Sequence, residues 1–143
     1  MIKIDVLILE GSSPSALGVT LDVLDAVNQL ADEEIFEWRA IVTSGTVARL
    51  RGGVSAPAQP LHKARSRDLV IVPGIGASTD AAVEERIAAA DALIAAKWLQ
   101  SAWRRGTTIA TSCTGAFLLG QAGLLDGRRC TTTWWLTPIT SRR

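Results

Sequence analysis

The chain has 143 residues, of which 48% are apolar and 20% charged, so it is long enough for one domain with a buried core. Its net charge of +1 excludes a strong general attraction to nucleic acid or to an anionic membrane surface. The two cysteines, Cys113 and Cys130, are too few for a disulfide framework and are typical of a reducing cytoplasm. With one histidine, His62, and no Cys-x-x-Cys pair, the sequence has no metal-ligand spacing.

The first part of the chain predicts a strand, a helix, a second strand and a hairpin. The apolar run Ile2–Leu9 is too short for a signal-peptide core or a membrane span and predicts a buried strand. A Ser-Ser-Pro turn then places proline at the first position of a helix over Pro14–Ala31, where apolar residues recur at helical spacing. Phe36–Ser44 predicts the second strand, and the glycine- and proline-rich stretch Gly45–Pro60 predicts an irregular β-hairpin.

A third strand and a long helical region follow. Asp68–Val72 ends in four consecutive branched apolar residues, as in a parallel strand that is buried on both faces. Pro73–Gly76 predicts a turn at the carboxyl end of this strand. An apolar stripe of helical period predicts a helix from about Thr79 to Arg105, with a candidate break near Asp91.

The most informative feature is a cysteine in a sharp turn. The β-branched run Thr107–Thr111 predicts a fourth strand, and Ala116–Gln121 predicts a helix that starts only a few residues later. Cys113 lies between them, an arrangement called a nucleophile elbow, in which the helix N-terminus favours the thiolate. Three interpretations of Cys113 stay open: a residual catalytic thiol, a ligand-contacting or oxidation-prone thiol, and a small side chain packed in a turn.

The end of the chain is unusually apolar. Cys130–Thr133 predicts a short strand in which Cys130 packs as a small hydrophobe. In an extended segment Trp134 and Trp135 would point to opposite faces, so that one walls a crevice and the other covers a neighbour. Because only Thr137–Arg143 follow, we expect the domain to be truncated at its C-terminal end or completed from elsewhere.

The alternation of strands and helices indicates an α/β fold, a flavodoxin-like three-layer sandwich with a mostly parallel sheet. Ligands in such sheets bind outside the carboxyl ends of the strands, so the Gly74 turn and the Cys113 turn should line one crevice. The backbone N–H groups of Gly74, Ile75 and Gly76 suit a carboxylate or carbonyl oxygen of a small ligand. Glu10 is expected to be a solvated turn residue.

His62 is not expected to reach this crevice. It lies in a connection that leads into the amino end of its strand, whereas the cysteine turn lies at the carboxyl ends. We therefore interpret His62 as a solvated loop residue.

Three stretches of the sequence resemble the DJ-1/PfpI superfamily, which has a class I glutamine amidotransferase-like fold. They are Val72–Gly74, Cys113–Leu119 and Ala122–Arg129, followed by a threonine-rich segment that ends in the tryptophan pair. Within the superfamily the chain is most similar to the N-terminal domain of AraC-type transcription regulators, and isonitrile hydratases carry a similar stretch. The resemblance implies a helix-turn-helix DNA-binding domain beyond Arg143.

The same resemblance assigns roles to positions of this sequence. The family's reactive thiol falls on Cys113, and its backbone oxyanion donors fall on Thr114 and Ile75. A histidine often precedes the first tryptophan of the last motif, and this sequence has Thr133 there. The acid that usually follows the first strand falls near Ala16, where no acid is present. The resemblance therefore implies a thiol without its usual partners.

Two functions follow from these observations. The first is a non-catalytic domain of an AraC-type regulator that senses a small polar effector, self-associates as a homodimer in the cytoplasm and needs no cofactor or metal. DNA would be contacted only through another domain, since this chain has no recognition helix with clustered basic and amide residues. The predicted ligand-binding residues are Gly74, Ile75, Gly76, Cys113, Thr114, Thr133 and Trp134.

The second function is a cysteine-dependent hydrolase or hydratase, similar to isonitrile hydratase, or a glyoxalase-like enzyme of the same superfamily. The elbow favours it. The threonine at position 133 and the absence of an acid near Ala16 oppose it, because losing a general base costs about two to four orders of magnitude in rate. A purely structural domain without a ligand is a third interpretation.

Overall fold

The computed structural model describes residues 1–61 and 67–136, which form an α/β sandwich. No helix in these ranges combines the length and apolar character needed to cross a membrane. In chain order the elements are β1 (Ile2–Leu7), α1 (Pro14–Ala31), β2 (Phe36–Val42), β3 (Val47–Arg49), β4 (Ser55–Pro57), β5 (Gln59–Pro60), β6 (Leu69–Val72), α2 (Asp80–Ala88), α3 (Ala90–Arg104), β7 (Thr108–Thr111) and α4 (Gly115–Gln121).

Five strands form the central sheet in the order β5-β2-β1-β6-β7, and each neighbouring pair is parallel. β1 pairs with β2 on one side and with β6 on the other, so the strand order reverses at β1. Loops diverge at such a reversal and leave a crevice at the carboxyl edge of the sheet. The predicted hairpin is also present, since β3 and β4 pair in antiparallel register. The predicted α/β class with a mostly parallel sheet is confirmed.

The two faces of the sheet are covered by different layers. α1 and the hairpin pack on one face, and α2, α3 and α4 pack on the other. β6 contributes to both faces, as its unbroken apolar run predicted. Val70 and Val72 are fully buried on the three-helix side, whereas Leu69 and Ile71 are only partly buried on the α1 side. Ile71, near the carboxyl end of β6, therefore leaves apolar surface open beside α1 at the edge where the crevice lies.

The long helical region is divided near Asp91, as the sequence predicted. Ala89 adopts extended backbone angles (φ −70°, ψ 152°) that end α2 and begin α3. Asp91 pairs with Arg86 of α2 and accepts a hydrogen bond of 3.1 Å from the Glu10 N–H. These contacts fix the angle between the two helices and tie them to the loop after β1.

The prediction of a strand over Cys130–Thr133 is wrong. These residues have no regular secondary structure, and Trp134–Leu136 form a turn of 3-10 helix. The Thr132 hydroxyl instead donates to the Cys113 carbonyl oxygen over 3.0 Å. A side-chain contact with the cysteine turn thus takes the place of strand pairing in this segment.

A cluster of charged side chains lies towards the amino ends of β1, β2 and β6. Asp5 is fully buried in β1 and lies 2.6 Å from Arg39 Nε and 3.6 Å from Arg67 Nε. Arg67 also donates to Glu37 over 2.6 Å, and Lys3 Nζ is 4.0 Å from the same carboxylate. The carboxylates and guanidinium groups therefore compensate one another at this end of the sheet.

Glu37→Gln is expected to reduce the acid sensitivity of the fold. The hydrogen bond from Arg67, with the nearby positive charges, holds the pKa of Glu37 below its ordinary value of 4.5, although desolvation opposes this. A lowered pKa stabilises the folded state above the ordinary value, and the contribution is lost as pH falls through the folded pKa. Urea titrations should therefore show the largest stability difference between wild type and variant near neutral pH, shrinking below pH 4.5.

The control for this prediction is Glu84→Gln, which removes an exposed carboxylate of α2 that has no ion pair within the described residues. Because this carboxylate forms no ion pair there, the control should change stability near neutral pH less than Glu37→Gln does. A difference for Glu37→Gln that is constant with pH would contradict the role of the Arg67 contact.

Candidate functional site

A cavity of about 600 Å³ opens at the carboxyl edge of the sheet, where the strand order reverses. It is enclosed by the start of α1, the tip of the hairpin, the loop after β6 and the turn after β7. Its lining residues are Ser13, Ser15, Ala16, Val19, Thr20, Val23, Leu24, Arg51, Ile71, Gly74, Gly76, Ala77, Ser78, Ser112, Cys113, Thr114 and Trp135.

The Cys113 turn is built from close backbone contacts. Cys113 has a left-handed φ of 52°. The Ser112 N–H donates to the Val72 carbonyl oxygen over 3.2 Å, and the Gly115 N–H donates to the Ser112 carbonyl oxygen over 3.0 Å. A Cβ on Gly115 would overlap Thr111 Oγ1 and lie 2.6 Å from the Val72 carbonyl oxygen. This strand–turn–helix geometry leaves the thiol exposed at the cavity.

The surroundings of the thiol contain no proton acceptor within the described residues. A Cβ built on Gly74 would lie 3.4 Å from both Ala16 Cβ and Cys113 Cβ, and 3.7 Å from Cys113 Sγ. Ala16 and Cys113 therefore both lie beside Gly74, and both line the cavity. No carboxylate or imidazole lines the cavity in residues 1–61 and 67–136. His62 lies outside the described residues.

Four of the predicted ligand-binding residues line the cavity: Gly74, Gly76, Cys113 and Thr114. Ile75 does not. It is buried, and its N–H donates to Thr114 Oγ1 over 3.1 Å. The expectation that this N–H faces a ligand as an oxyanion donor is corrected, because the donor is already satisfied inside the protein.

Thr133 and Trp134 are not among the residues that line the cavity, and the Thr133 hydroxyl is buried. Trp135 lines the cavity instead, and its Nε1–H donates to the Ser78 carbonyl oxygen over 3.2 Å. The prediction for Trp134 assumed an extended segment. In the 3-10 turn the Trp134 ring projects outward and meets Trp135 edge to face, with centroids 5.6 Å apart.

Sequence reasoning missed Arg51. The hairpin that carries it is tied to the loop after β1, since the Gly11 N–H donates to the Arg49 carbonyl oxygen over 2.8 Å and the Arg51 N–H donates to the Ser12 carbonyl oxygen over 3.1 Å. These contacts join residues distant in sequence. The one local signal is the glycine pair after Arg51, which marks a turn able to project its neighbours.

Two other residues considered in the sequence lie at separate clefts. Glu10 is exposed and lines a cleft of about 250 Å³ with Gly11 and Arg86, so it does not reach the cysteine. Cys130 is an exposed free thiol in a pocket of about 330 Å³. The expectation that Cys130 packs as a small hydrophobe is therefore wrong, because the strand that would have buried it does not form.

Thr114→Val is expected to lower the free energy of unfolding by about 1 to 3 kcal/mol. The substitution removes the hydroxyl that accepts the buried Ile75 N–H and leaves that donor without its partner. Thr114→Ser keeps the hydroxyl and should retain most of the stability. Chemical denaturation of both variants measures the difference. Equal losses would show that the methyl group, and not the hydrogen bond, matters here.

Comparison with known proteins places this site in a family. The sequence model of the DJ-1/PfpI family matches residues 3–140, and the chain belongs to that family. The chain is 30% identical over 142 residues to an uncharacterized protein of the cpoL 5′ region in Streptomyces lividans. The alignment covers 99% of this chain and 94% of that protein.

Other relatives are transcription regulators. The chain is 27% identical over 133 residues to the HTH-type transcriptional regulator GbdR of Pseudomonas aeruginosa. The alignment covers 92% of this chain and 34% of the regulator. The crystal structure of an AraC family transcriptional regulator from Pseudomonas putida superposes with a TM-score of 0.80 at 23% identity, over 100% of this chain and 72% of that one. This likeness shows the DJ-1-type, flavodoxin-like fold.

Proposed function

We propose that this chain is the effector-sensing and self-association domain of an AraC-type transcription regulator, and that it binds a small polar ligand beside Cys113 without transforming it. The composition of the cavity carries the proposal. Cys113 and Ala16 both line the cavity, and no carboxylate or imidazole does so within the described residues. A cysteine nucleophile that lacks its base loses about two to four orders of magnitude in rate. The relation to GbdR supports the regulatory role.

The cavity suits a small molecule. Its volume of about 600 Å³ falls within the range of roughly 300 to 1,000 Å³ that is usual for ligand pockets. Aliphatic and aromatic side chains form much of the wall, and several hydroxyl groups interrupt it. A ligand with an apolar body and a few polar atoms matches this lining. Gly74, Gly76, Cys113 and Thr114 are the residues that we expect it to touch.

In this proposal DNA is contacted through a helix-turn-helix domain elsewhere in the same polypeptide. The chain spans about a third of the length of GbdR, which leaves room in such a protein for a second domain. Reading the coding frame beyond Arg143 tests this directly. Two helix-turn-helix patterns there would support the regulator, and a stop codon soon after one closing helix would favour a stand-alone protein. The sparse cysteines support a cytoplasmic location.

Self-association is the second part of the proposal. Leu30 of α1 and Trp134 are 88% and 82% exposed and do not line the cavity, and such apolar surface favours contact between copies. Sedimentation over a concentration series should reveal a dimer. A monomer mass that stays constant over the series would contradict this part.

Ligand stabilisation and turnover together test the sensing role. A thermal-shift screen of small metabolites should find compounds that raise the melting temperature, and the protein should not convert amides, nitriles, isonitriles or dicarbonyls. Cys113→Ala is compared with Cys130→Ala, which removes the other thiol. Turnover that is lost only in Cys113→Ala would contradict the proposal and establish the alternative, a cysteine-dependent hydrolase, hydratase or glyoxalase-like enzyme. The elbow backbone and the exposed thiol are the observations that favour that alternative.

A further inference from the structure

The cavity at Cys113 has one charged side chain in its wall. Arg51 stands at the tip of the hairpin, and the other lining residues in the described ranges are apolar or carry neutral polar groups. The backbone bonds from Gly11 and Arg51 hold the hairpin against the loop after β1. Arg51 is therefore kept at the mouth of the cavity by the fold itself.

Arg51 has no carboxylate partner within residues 1–61 and 67–136. Three other arginines of the described chain have carboxylate partners: Arg39 pairs with Asp5, Arg67 with Asp5 and Glu37, and Arg86 with Asp91. A guanidinium at the mouth of a cavity without a compensating anion attracts an anionic group.

The remaining wall indicates the rest of the ligand. Val19, Val23 and Leu24 of α1, Ile71 of β6 and the Trp135 ring form an apolar surface. The amino end of α1 also lies at the cavity, and the Ser13 side chain makes no capping hydrogen bond there. The positive end of the helix dipole adds to the field of Arg51.

We infer that the ligand of this cavity is a small carboxylic acid with a branched or aromatic apolar body, whose carboxylate is bound by Arg51. The inference rests on the proposed sensing function and names its ligand class. Guanidinium groups bind carboxylates through two parallel N–H donors, which gives direction as well as affinity. The apolar body would then lie along α1 and Ile71, in contact with Trp135.

The thiol itself provides a probe of the field from Arg51. Iodoacetate and iodoacetamide alkylate cysteine by the same displacement of iodide and differ in charge. Rates at Cys113 are followed by mass spectrometry of its peptide, with Cys130 as an internal reference. Arg51→Gln should lower the ratio of the iodoacetate rate to the iodoacetamide rate about three- to tenfold, because only iodoacetate carries a negative charge. Arg49→Gln is the matched control, since Arg49 is exposed on the same hairpin and does not line the cavity.

Equilibrium binding provides the second measurement. Isovalerate and phenylacetate are compared with isovaleramide and phenylacetamide by calorimetry on wild type, Arg51→Gln and Arg49→Gln. Each carboxylate should bind at least about tenfold more tightly than its amide, and this preference should disappear only in Arg51→Gln. Circular dichroism and the melting temperature verify that both variants are folded.

The outcomes separate this inference from the proposed function. The inference is overturned if Arg51→Gln leaves the ratio of the iodoacetate rate to the iodoacetamide rate unchanged. It is also overturned if the wild type binds acids and amides equally well. Binding of the amides would still support a sensing cavity. If Arg51→Gln lowers the ratio of the iodoacetate rate to the iodoacetamide rate but none of the four compounds binds, the anion preference is supported. The ligand then has a different apolar body. Turnover that depends on Cys113 overturns the sensing function. The alkylation rates then decide whether Arg51 attracts an anion.

Discussion

Gly76→Ala is expected to lower the free energy of unfolding by about 3 to 5 kcal/mol. Gly76 has a left-handed φ of 83°, and a Cβ at this position would overlap the carbonyl oxygen of Gly11. Backbone atoms cannot move aside as the end of a flexible side chain can. Because single domains are stable by only about 5 to 15 kcal/mol, the variant should be close to unfolding at room temperature.

The matched control for this variant is Gly53→Ala. Gly53 has a similar φ of 77°, but no atom lies within 4 Å of the position that its Cβ would take. This substitution therefore carries the backbone strain alone, about 1 to 2 kcal/mol. Urea unfolding followed by circular dichroism measures both. Equal losses would mean that the contact between Gly76 and Gly11 is not a close one.

The effect of Gly76→Ala should also reach the ligand cavity. Gly76 packs against Gly11, and the Gly11 N–H binds the strand that leads to Arg51. Displacing the loop after β1 would move the hairpin away from the cavity. We therefore expect the variant to lose any preference for anionic ligands at temperatures where it is still folded.

Asp5→Ala is expected to destabilise the fold by about 3 kcal/mol. Asp5 is fully buried and neutralises Arg39 and Arg67, whose side chains are only 17% and 16% exposed. Removing the carboxylate leaves positive charge in a poorly solvated region. Such a loss is larger than the net contribution of an intact ion pair, because the remaining charges lose a buried partner.

Asp22→Ala is the control, since Asp22 is exposed on α1, and its effect should stay within about 0.5 kcal/mol. A double-mutant cycle with Arg39→Ala then isolates the pair. The double variant should lose less stability than the two single variants together, by about 1 to 3 kcal/mol. Additive losses would show that Asp5 acts through packing and not through its charge.

The elements that carry strong local signals were predictable. Leu69–Val72 was recognised because a parallel strand buried on both faces has no polar alternation. The turn at Cys113 was recognised because a strand pattern and a helix pattern are separated by too few residues for any wider loop. In both cases the deciding information lies within about ten residues of sequence, so no long-range contact had to be known.

The parts of the site that the sequence does not predict depend on contacts between distant segments. Arg51 reaches the cavity through backbone bonds to the loop after β1, which no local pattern reveals. The sequence predicts an extended segment with Trp134 at the cavity, whereas a 3-10 turn forms and Trp135 lines the cavity. The threonines after Cys130 match the composition of a strand, but Thr132 bonds to the cysteine turn instead. The composition of the segment after Cys130 therefore does not predict its conformation.

The backbone of Cys113 bears on how this thiol should be removed in experiments. With φ at 52°, any residue other than glycine is held there at a cost of about 1 to 2 kcal/mol. Alanine deletes the sulfur and keeps the unfavourable torsion, whereas glycine deletes both. Comparing the two knockouts would separate what the sulfur atom does from what a bent main chain imposes on its neighbours.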